Sequence, residues 1–403
     1  MVAPERRTRG DLIAAAAIVA VVAVVIAAFW WHSSARSTIL IPAPSKATGL
    51  VTPQAVPDAL HETWTAASSR TSVPVAVGGT VITGEGRDVV GHDPNTGEQR
   101  WRYARDIDLC AVTQVYDLAV AVYPDGRGCG QVTGIRAATG VRGPSRTSYS
   151  DRHTVVSSDG SAVLSYGPTR LELWRTDLVR MLSYGEIDSR VKPVNTGIGS
   201  GCTLMSAAGS DASAAVLEAC RDEKDLRLTL LKPAKEEDEP DTKHVPMPGL
   251  AVDADARVLA VSGTRAAVYL PIPRPAVVVY DETGTKVSET PLRIPPALDG
   301  ATPALTHAGD YFTWWTGTSV MVFDSTLSYR YTIDAPTLGP ATMMAGRFLI
   351  PVADGLAVYN PANGSQERVI AVPHAPGDAV VIPSTIGPVV LEQRGATLTA
   401  FSP

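Results

Sequence analysis

Short strand-like runs recur along this chain: AVAVY at 119–123, VVVYDETG at 277–284, VMVFD at 320–324 and GLAVYN at 355–360. Gly, Asp or Pro bounds each run, and helical periodicity is hard to find beyond the N-terminal segment. This pattern predicts an all-β domain of the sandwich, barrel or propeller kind.

The runs repeat as a unit of strand, turn, strand, Asp-x-x-Thr-Gly turn and last strand. The clearest copy lies at 73–106 and contains GHDPNTGEQRW at 91–101. In its turn Asp93-Pro94-Asn95-Thr96-Gly97, Pro94 fixes φ, Asn95 tolerates unusual angles and Gly97 supplies a positive φ. Trp101 lies on the strand leaving the turn, where its ring is expected to fill the space between blades. Weaker copies carry Ala-Thr-Gly at 138–140, Arg175-Thr176-Asp177 and YNPANGSQER at 359–368. The chain holds a run of such units at intervals of roughly 40 residues, the spacing of a four-stranded propeller blade. The third-to-fourth interval is longer, and TGIGSG (196–201) and KEEDEPD (235–241) read as loop insertions.

The two ends supply one more unit. The C-terminal AVVIPSTIGPVVLEQRGATLTAFSP reads as three strands without a fourth, and LHETWTAAS (60–68) as a strand without partners. Trp64 holds the place of Trp101. Joining the ends closes a ring and hides its edge strands. Eight blades are expected, with seven as the alternative because the third and fourth units are degenerate.

The N-terminal segment breaks this pattern. Leu12–Trp31 is an uncharged run, preceded by Arg6, Arg7 and Arg9 and closed by Phe29, Trp30 and Trp31. A helix of that length spans roughly 30 Å, the thickness of a bilayer core. Basic residues ahead of it predict a cytoplasmic N-terminus. Ser33-Ser34-Ala35 is a passable cleavage site, but the run exceeds the usual signal-peptide apolar region, so a retained anchor is expected. No Cys lies in or just after the span, so a lipobox is absent. The organisation expected is a cytoplasmic tail (1–11), a transmembrane helix (12–31), a linker rich in Pro, Ser, Thr and Ala (32–58) and an extracytoplasmic propeller (59–403).

Composition agrees with a globular domain, at 45% hydrophobic and 19% charged residues. A formal net charge of −6 argues against a nucleic-acid partner. Cys110, Cys129, Cys202 and Cys220 all follow the span, on the predicted oxidising side. They fall in two close pairs, and the local pairing is expected, each pair on adjacent strands. A four-thiolate metal site would need C-x₂₋₄-C spacing, which is missing.

Candidate chemistry is sparse. Histidines 32, 61, 92, 153, 244, 307 and 374 show neither i, i+4 nor H-x-H spacing. GEGRDVVG (84–91) lacks the order of a phosphate loop and reads as a hairpin, and no G-x-S-x-G elbow occurs. Trp314 and Trp315, as strand neighbours, should face opposite ways. The acidic run at 235–241 reads as a solvated loop, and Asn363-Gly364-Ser365 as a weak sequon match.

Residues 89–98 with Trp101 resemble PQQ-like (quinoprotein-type) propeller repeats, whose pattern is a strand, then Ala-x-Asp-x-x-Thr-Gly-x-x-x-Trp. Residues 102–106 with Leu109-Cys110, residues 174–180, and Thr337-Leu338-Gly339-Pro340 further resemble a group of actinobacterial membrane-anchored proteins, rich in Ala and Val, of unassigned activity. The repeat resemblance implies either a quinoprotein dehydrogenase with PQQ and calcium or a binding scaffold, such as the lipoprotein of the outer-membrane protein assembly machine. The dehydrogenases usually carry adjacent cysteines, and no Cys-Cys occurs here. No Asp/Glu plus Asn set suits calcium. The expectation is therefore a non-catalytic binding or assembly scaffold without cofactor or metal, whose partner is another envelope protein, or an envelope glycan or lipid-linked intermediate. The alternatives are a quinone-dependent oxidoreductase or an envelope sensor.

Overall fold

The computed structural model describes residues 8–31, 33–187, 197–298, 302–374 and 380–403. Arg6, Arg7 and His32, and Thr196 of the TGIGSG stretch, lie outside the described residues. Tight Gly- and Asp-bearing turns return each short strand beside the one before it, which builds antiparallel meanders. Eight such sheets form, each with four consecutive strands apart from the two that use the N-terminal segment. Blades 1 to 7 span 75–104, 111–147, 155–185, 202–251, 257–291, 305–333 and 342–371. Blade 8 combines 381–402 with His61–Ala67, which pairs antiparallel with Thr397–Ser402 and sets Trp64 opposite Ala400. The ring thus has eight blades, blades 3 and 4 both being complete, and strands from the two ends of the domain close it.

In every blade the first strand faces the axis and the fourth the rim. First–second and third–fourth turns therefore share one end of the ring, the turn face. The middle strands are covered on both sides by neighbouring blades. Ala276–Tyr280 is accordingly buried throughout and reads as a continuous apolar run, where a half-solvated strand would alternate.

The segment expected to be a linker carries packed structure of its own. Ile39–Ile41 adds a fifth strand to the rim of blade 1, Ile39 opposite Ala104 and Ile41 opposite Arg102. The chain then crosses the turn face as a strap. The Ala43 and Ala47 N–H groups donate to the Thr139 and Ala138 carbonyls at 2.9 and 2.8 Å. Leu50 rests on Gly387, and Val56 and Leu60 are buried with side chains of blades 7 and 8. Evenly spaced apolar residues within a Pro/Ser/Thr/Ala composition produce this behaviour: the backbone stays extended and each apolar side chain finds a site.

Before the strap, helix α1 (Arg9–Trp31) buries no residue and is apolar on all sides. It is long and apolar enough to cross a membrane. Arg36, just beyond it, places its guanidinium 3.6 Å from the Trp31 ring centre.

Candidate functional site

The repeat residues meet at blade seams. Asp93 Oδ1 accepts from the Asn95 and Thr96 N–H groups (3.0 and 3.3 Å), and Thr96 Oγ1 accepts from the Glu98 N–H (3.2 Å). Gly97 has φ 73°, and a Cβ there would lie 2.6 Å from Trp64. Trp64 stacks on His92, with 5.5 Å between ring centres, and its Nε1 donates to the Pro94 carbonyl at 2.9 Å. Asp93, Pro94, Thr96, Gly97 and Trp64 together thus form the joint between blades 8 and 1. Burial lowers the His92 pKa, opposed by the Gly97 carbonyl. Nδ1 donating to that carbonyl (2.9 Å) and Nε2 accepting from the Thr83 hydroxyl (2.9 Å) suit a neutral ring.

Trp101 makes the next joint. It is fully buried, and its Nε1 donates to the Ala137 carbonyl at 2.7 Å. A Cβ on Gly140 would approach the Trp101 Cβ to 2.4 Å. Between blades 6 and 7, Tyr331 donates to the Pro361 carbonyl beneath Gly364, where a Cβ would lie 2.8 Å from the ring. Each of these rings sits on the fourth strand just past a bulge, which aims it at the following blade.

At two seams the volumes are exchanged. The position past the bulge is Ser145 in blade 2 and Ser288 in blade 5. The next turn then carries leucine where glycine stood: Leu178 (φ 63°) and Leu327 (φ 62°). Both leucines are buried, Leu178 against Leu118 and Val132, Leu327 against Tyr269 and Val277. Arg175-Thr176-Asp177 is thus the lead-in to a turn of the same kind. At the seam of blades 7 and 8 the equivalent residue is Arg368, which donates to the Val56 and Pro57 carbonyls at 2.6 and 2.9 Å and pairs with Asp58. The strap thereby substitutes for the turn that the composite blade lacks.

The cysteines form Cys110–Cys129 and Cys202–Cys220. The second joins directly opposed residues on adjacent strands of blade 4. The first differs from expectation: Cys110 precedes the first strand of blade 2, Cys129 lies on its third, and the bond passes the strand between them. Cys202, Glu218 and Cys220 lie close together, but both sulfurs are bonded to each other. Glu218 accepts from Tyr184 (2.8 Å), Arg227 (2.8 Å) and Thr229 (2.5 Å).

Other candidates have structural partners. His244 bonds Thr229, and His374 lies between the Val352 carbonyl and Glu392. His61 and His153 are exposed. GEGRDVVG is a hairpin with Glu85 opposite Asp88. Trp314 is fully buried between blades 5 and 6, while half-buried Trp315 donates to the Thr337 carbonyl at 3.0 Å. Asn363 Oδ1 accepts from the Ser365 N–H and hydroxyl. The acidic run is partly tied down: the Glu237 carbonyl accepts from the Ser183 N–H at 2.7 Å and covers the edge of blade 3.

What sequence motifs did not reveal is the axis. A cavity of about 460 Å³ lies there, walled mainly by first-strand residues. Thr71, Thr113, Ser157 and Gln393 supply polar groups, and Val258, Leu259, Ile382 and Phe312 apolar surface. Among the described residues that line it, Asp159 and His307 are the ionisable ones. Asp159 Oδ1 already accepts from the Ser161 and Ala162 N–H groups, both at 2.8 Å. His307 stacks on Phe312, with 4.7 Å between ring centres. Desolvation lowers its pKa, against the opposing charges of Asp159 and Asp310. This lining can recognise shape and hydrogen-bonding groups. Among the described residues that line it, no hydroxyl is hydrogen-bonded to Asp159 or His307.

No family model and no curated protein matches the sequence. Solved structures are similar in fold. Saccharomyces cerevisiae Sqt1 superposes with TM-score 0.52 at 10% identity, covering 89% of this chain and 99% of that one. Sqt1 from Chaetomium thermophilum gives 0.51 at 13%, covering 86% and 100%. The dihydro-heme d1 dehydrogenase NirN gives 0.48 at 16%, covering 87% and 75%, too distant to carry an argument about chemistry. The chain is an all-β, eight-bladed β-propeller preceded by one apolar helix.

Proposed function

We propose that this protein is a membrane-anchored, extracytoplasmic propeller that acts as a non-catalytic binding or assembly scaffold in the cell envelope. The observation that carries the reading is the axial cavity, whose walls offer hydroxyls and aliphatic surface, with Asp159 held by backbone N–H groups and His307 stacked on Phe312. The apolar helix supports an anchor, and the two disulfides support an oxidising compartment. The Asp-x-x-Thr-Gly turn and docked Trp101 support a PQQ-like repeat, and the likeness to the actinobacterial group rests on residues 102–106, 174–180 and 337–340.

Between Trp31 and Ile39 the tether includes a short helical turn at Ser34–Ser37. Ile39 lies at the end of blade 1 away from the turn face. The tether therefore favours an orientation with the turn face away from the membrane. The partner is another envelope protein, or an envelope glycan or lipid-linked intermediate.

Two experiments test the reading. A reporter fused after Pro403 should be active only outside the cytoplasm; activity inside would remove the envelope setting. Purified full-length protein given PQQ and calcium should show no dye-linked turnover, whereas turnover would replace the scaffold with an oxidoreductase.

A further inference from the structure

Glu172, on the third strand of blade 3, gathers three arginines. Arg146 comes from the rim of blade 2 (3.0 Å), Arg170 from its own strand (2.6 Å) and Arg180 from the rim of blade 3 (3.1 Å). The Trp174 Nε1 donates to the same carboxylate at 2.8 Å. The Glu172 and Arg170 side chains are only 4% and 5% exposed. A second carboxylate joins from the blade 4 loop, where Glu237 pairs with Arg180. Three guanidinium groups thus share two carboxylates, and the cluster carries an excess positive charge.

Other details agree with that excess. The Nε atoms of Arg146, Arg170 and Arg180 are all buried without an acceptor. Burial lowers the Arg146 pKa; Glu172 opposes the shift and the nearby Arg180 and Arg170 charges add to it. Arg180 goes the other way: burial pulls it down, but the hydrogen bond to Glu237 and the charge of Glu172 raise it overall. The Glu237 charge opposes the lowering of Arg146 as well, and Arg146 also donates to the Leu178 carbonyl at 3.0 Å.

The three guanidinium groups form one wall of an open groove of about 490 Å³ between blades 2 and 3. Ser148 and Tyr149 add hydroxyls there, and Asp177 and Asp238 stand at its lip, Asp177 paired with Arg175. We propose that this groove binds an oxyanion, a phosphate or carboxylate borne on a hydroxyl-rich ligand, with Arg146, Arg170 and Arg180 as its cationic wall and Glu237 as a tethered competitor. Guanidinium groups suit both anions because their donors match paired oxygens. The groove is larger than an ion alone needs, and its hydroxyls suit a polar body attached to the anion. Glu237 shows where such an oxygen sits: its backbone carbonyl is fixed to Ser183, and its carboxylate reaches the cluster from another blade. The site does not depend on the membrane anchor.

The test is calorimetric titration of full-length protein with inorganic phosphate and, separately, with D-glucuronate. The wild type should bind at least one of them saturably, and the tighter probe identifies the phosphate or carboxylate source. Glu237→Gln should tighten binding by about tenfold, between the bulk-water and near-surface values for one unit charge at about 4 Å. Arg180→Gln should weaken it by a similar factor, and Arg180→Lys by less. Thermal melts establish that each variant is folded, and Glu237→Gln, being a gain, is not mimicked by misfolding. No saturable binding in either the wild type or Glu237→Gln would overturn the proposal. Equal affinity across all four proteins would also overturn it.

Discussion

Blade 1 and blade 6 turn the chain at the same place with different residues. In blade 1 the left-handed position is Gly97, and Trp64 from the preceding blade fills the seam. In blade 6 it is Leu327, and the preceding blade offers only Ser288. A leucine at positive φ costs roughly 1–2 kcal/mol relative to an ordinary helical or extended conformation. Burying its side chain returns about 1.5–3 kcal/mol. The strained turn is therefore sustainable where the neighbour leaves room, and forbidden where an aromatic ring already fills it. What these seams share is a filled volume, supplied from one side or the other.

The largest expected effect comes from emptying an aromatic seam. Trp101→Ala should cost about 3–5 kcal/mol in denaturant unfolding, because it leaves a cavity and orphans the Ala137 carbonyl. A loss below about 1 kcal/mol would mean that the ring is not what joins blades 1 and 2.

Next comes the leucine seam. Leu327→Gly gives blade 6 the turn residue of blade 1 without a ring to cover it. The side chain lost is worth about 2–5 kcal/mol and the strain released about 1–2, so a net loss of roughly 1–3 kcal/mol is expected. Unchanged or increased stability would show that the turn strain outweighs the packing.

A swap within one seam sharpens the comparison further. Tyr331→Ser and Gly364→Leu should each destabilise the protein, one by a cavity and the other by a clash. The double variant should recover about 1–2 kcal/mol relative to their sum, a coupling within the range for residues in contact. Strict additivity would contradict volume exchange.

The smallest effect is a pH dependence peculiar to the seam of blades 8 and 1, where His92 is buried. Its native pKa lies below the ordinary 6.5. As pH falls through about 6.5 the unfolded chain takes up the proton first, so stability should fall as the pH drops below neutral. His92→Gln should shallow that slope in unfolding measurements. An unchanged slope would assign it to other groups, such as His244 and His307, whose pKa values are also lowered.

Ring closure was legible because His61–Ala67 and the C-terminal strands each lack a partner in sequence, and Trp64 echoes Trp101. The Asp-x-x-Thr-Gly turn was legible because its residue types encode backbone angles. The leucine turns were not, since nothing in the letters at 178 or 327 announces a positive φ; only the missing ring next door explains it. The strap was hidden by its composition, with Ile39, Leu50 and Val56 scattered among residues typical of a linker. The axial cavity uses ordinary Ser, Thr and Val on first strands, and the arginine cluster draws Arg146 and Glu237 from 26 residues before Glu172 and 57 beyond Arg180. Neither arrangement leaves a local motif, so both emerge only once the blades are placed.

The central claim is that the ring works by binding at its axis and turn face. The most direct test places a photo-crosslinking amino acid at His307, at the cavity wall, and for comparison at Val287, exposed on the rim of blade 5. Both variants are expressed in the native membrane and illuminated. The expected result is a discrete adduct from position 307 that is absent from position 287. The same products from both positions, or none from either, would contradict a scaffold that binds through its axis.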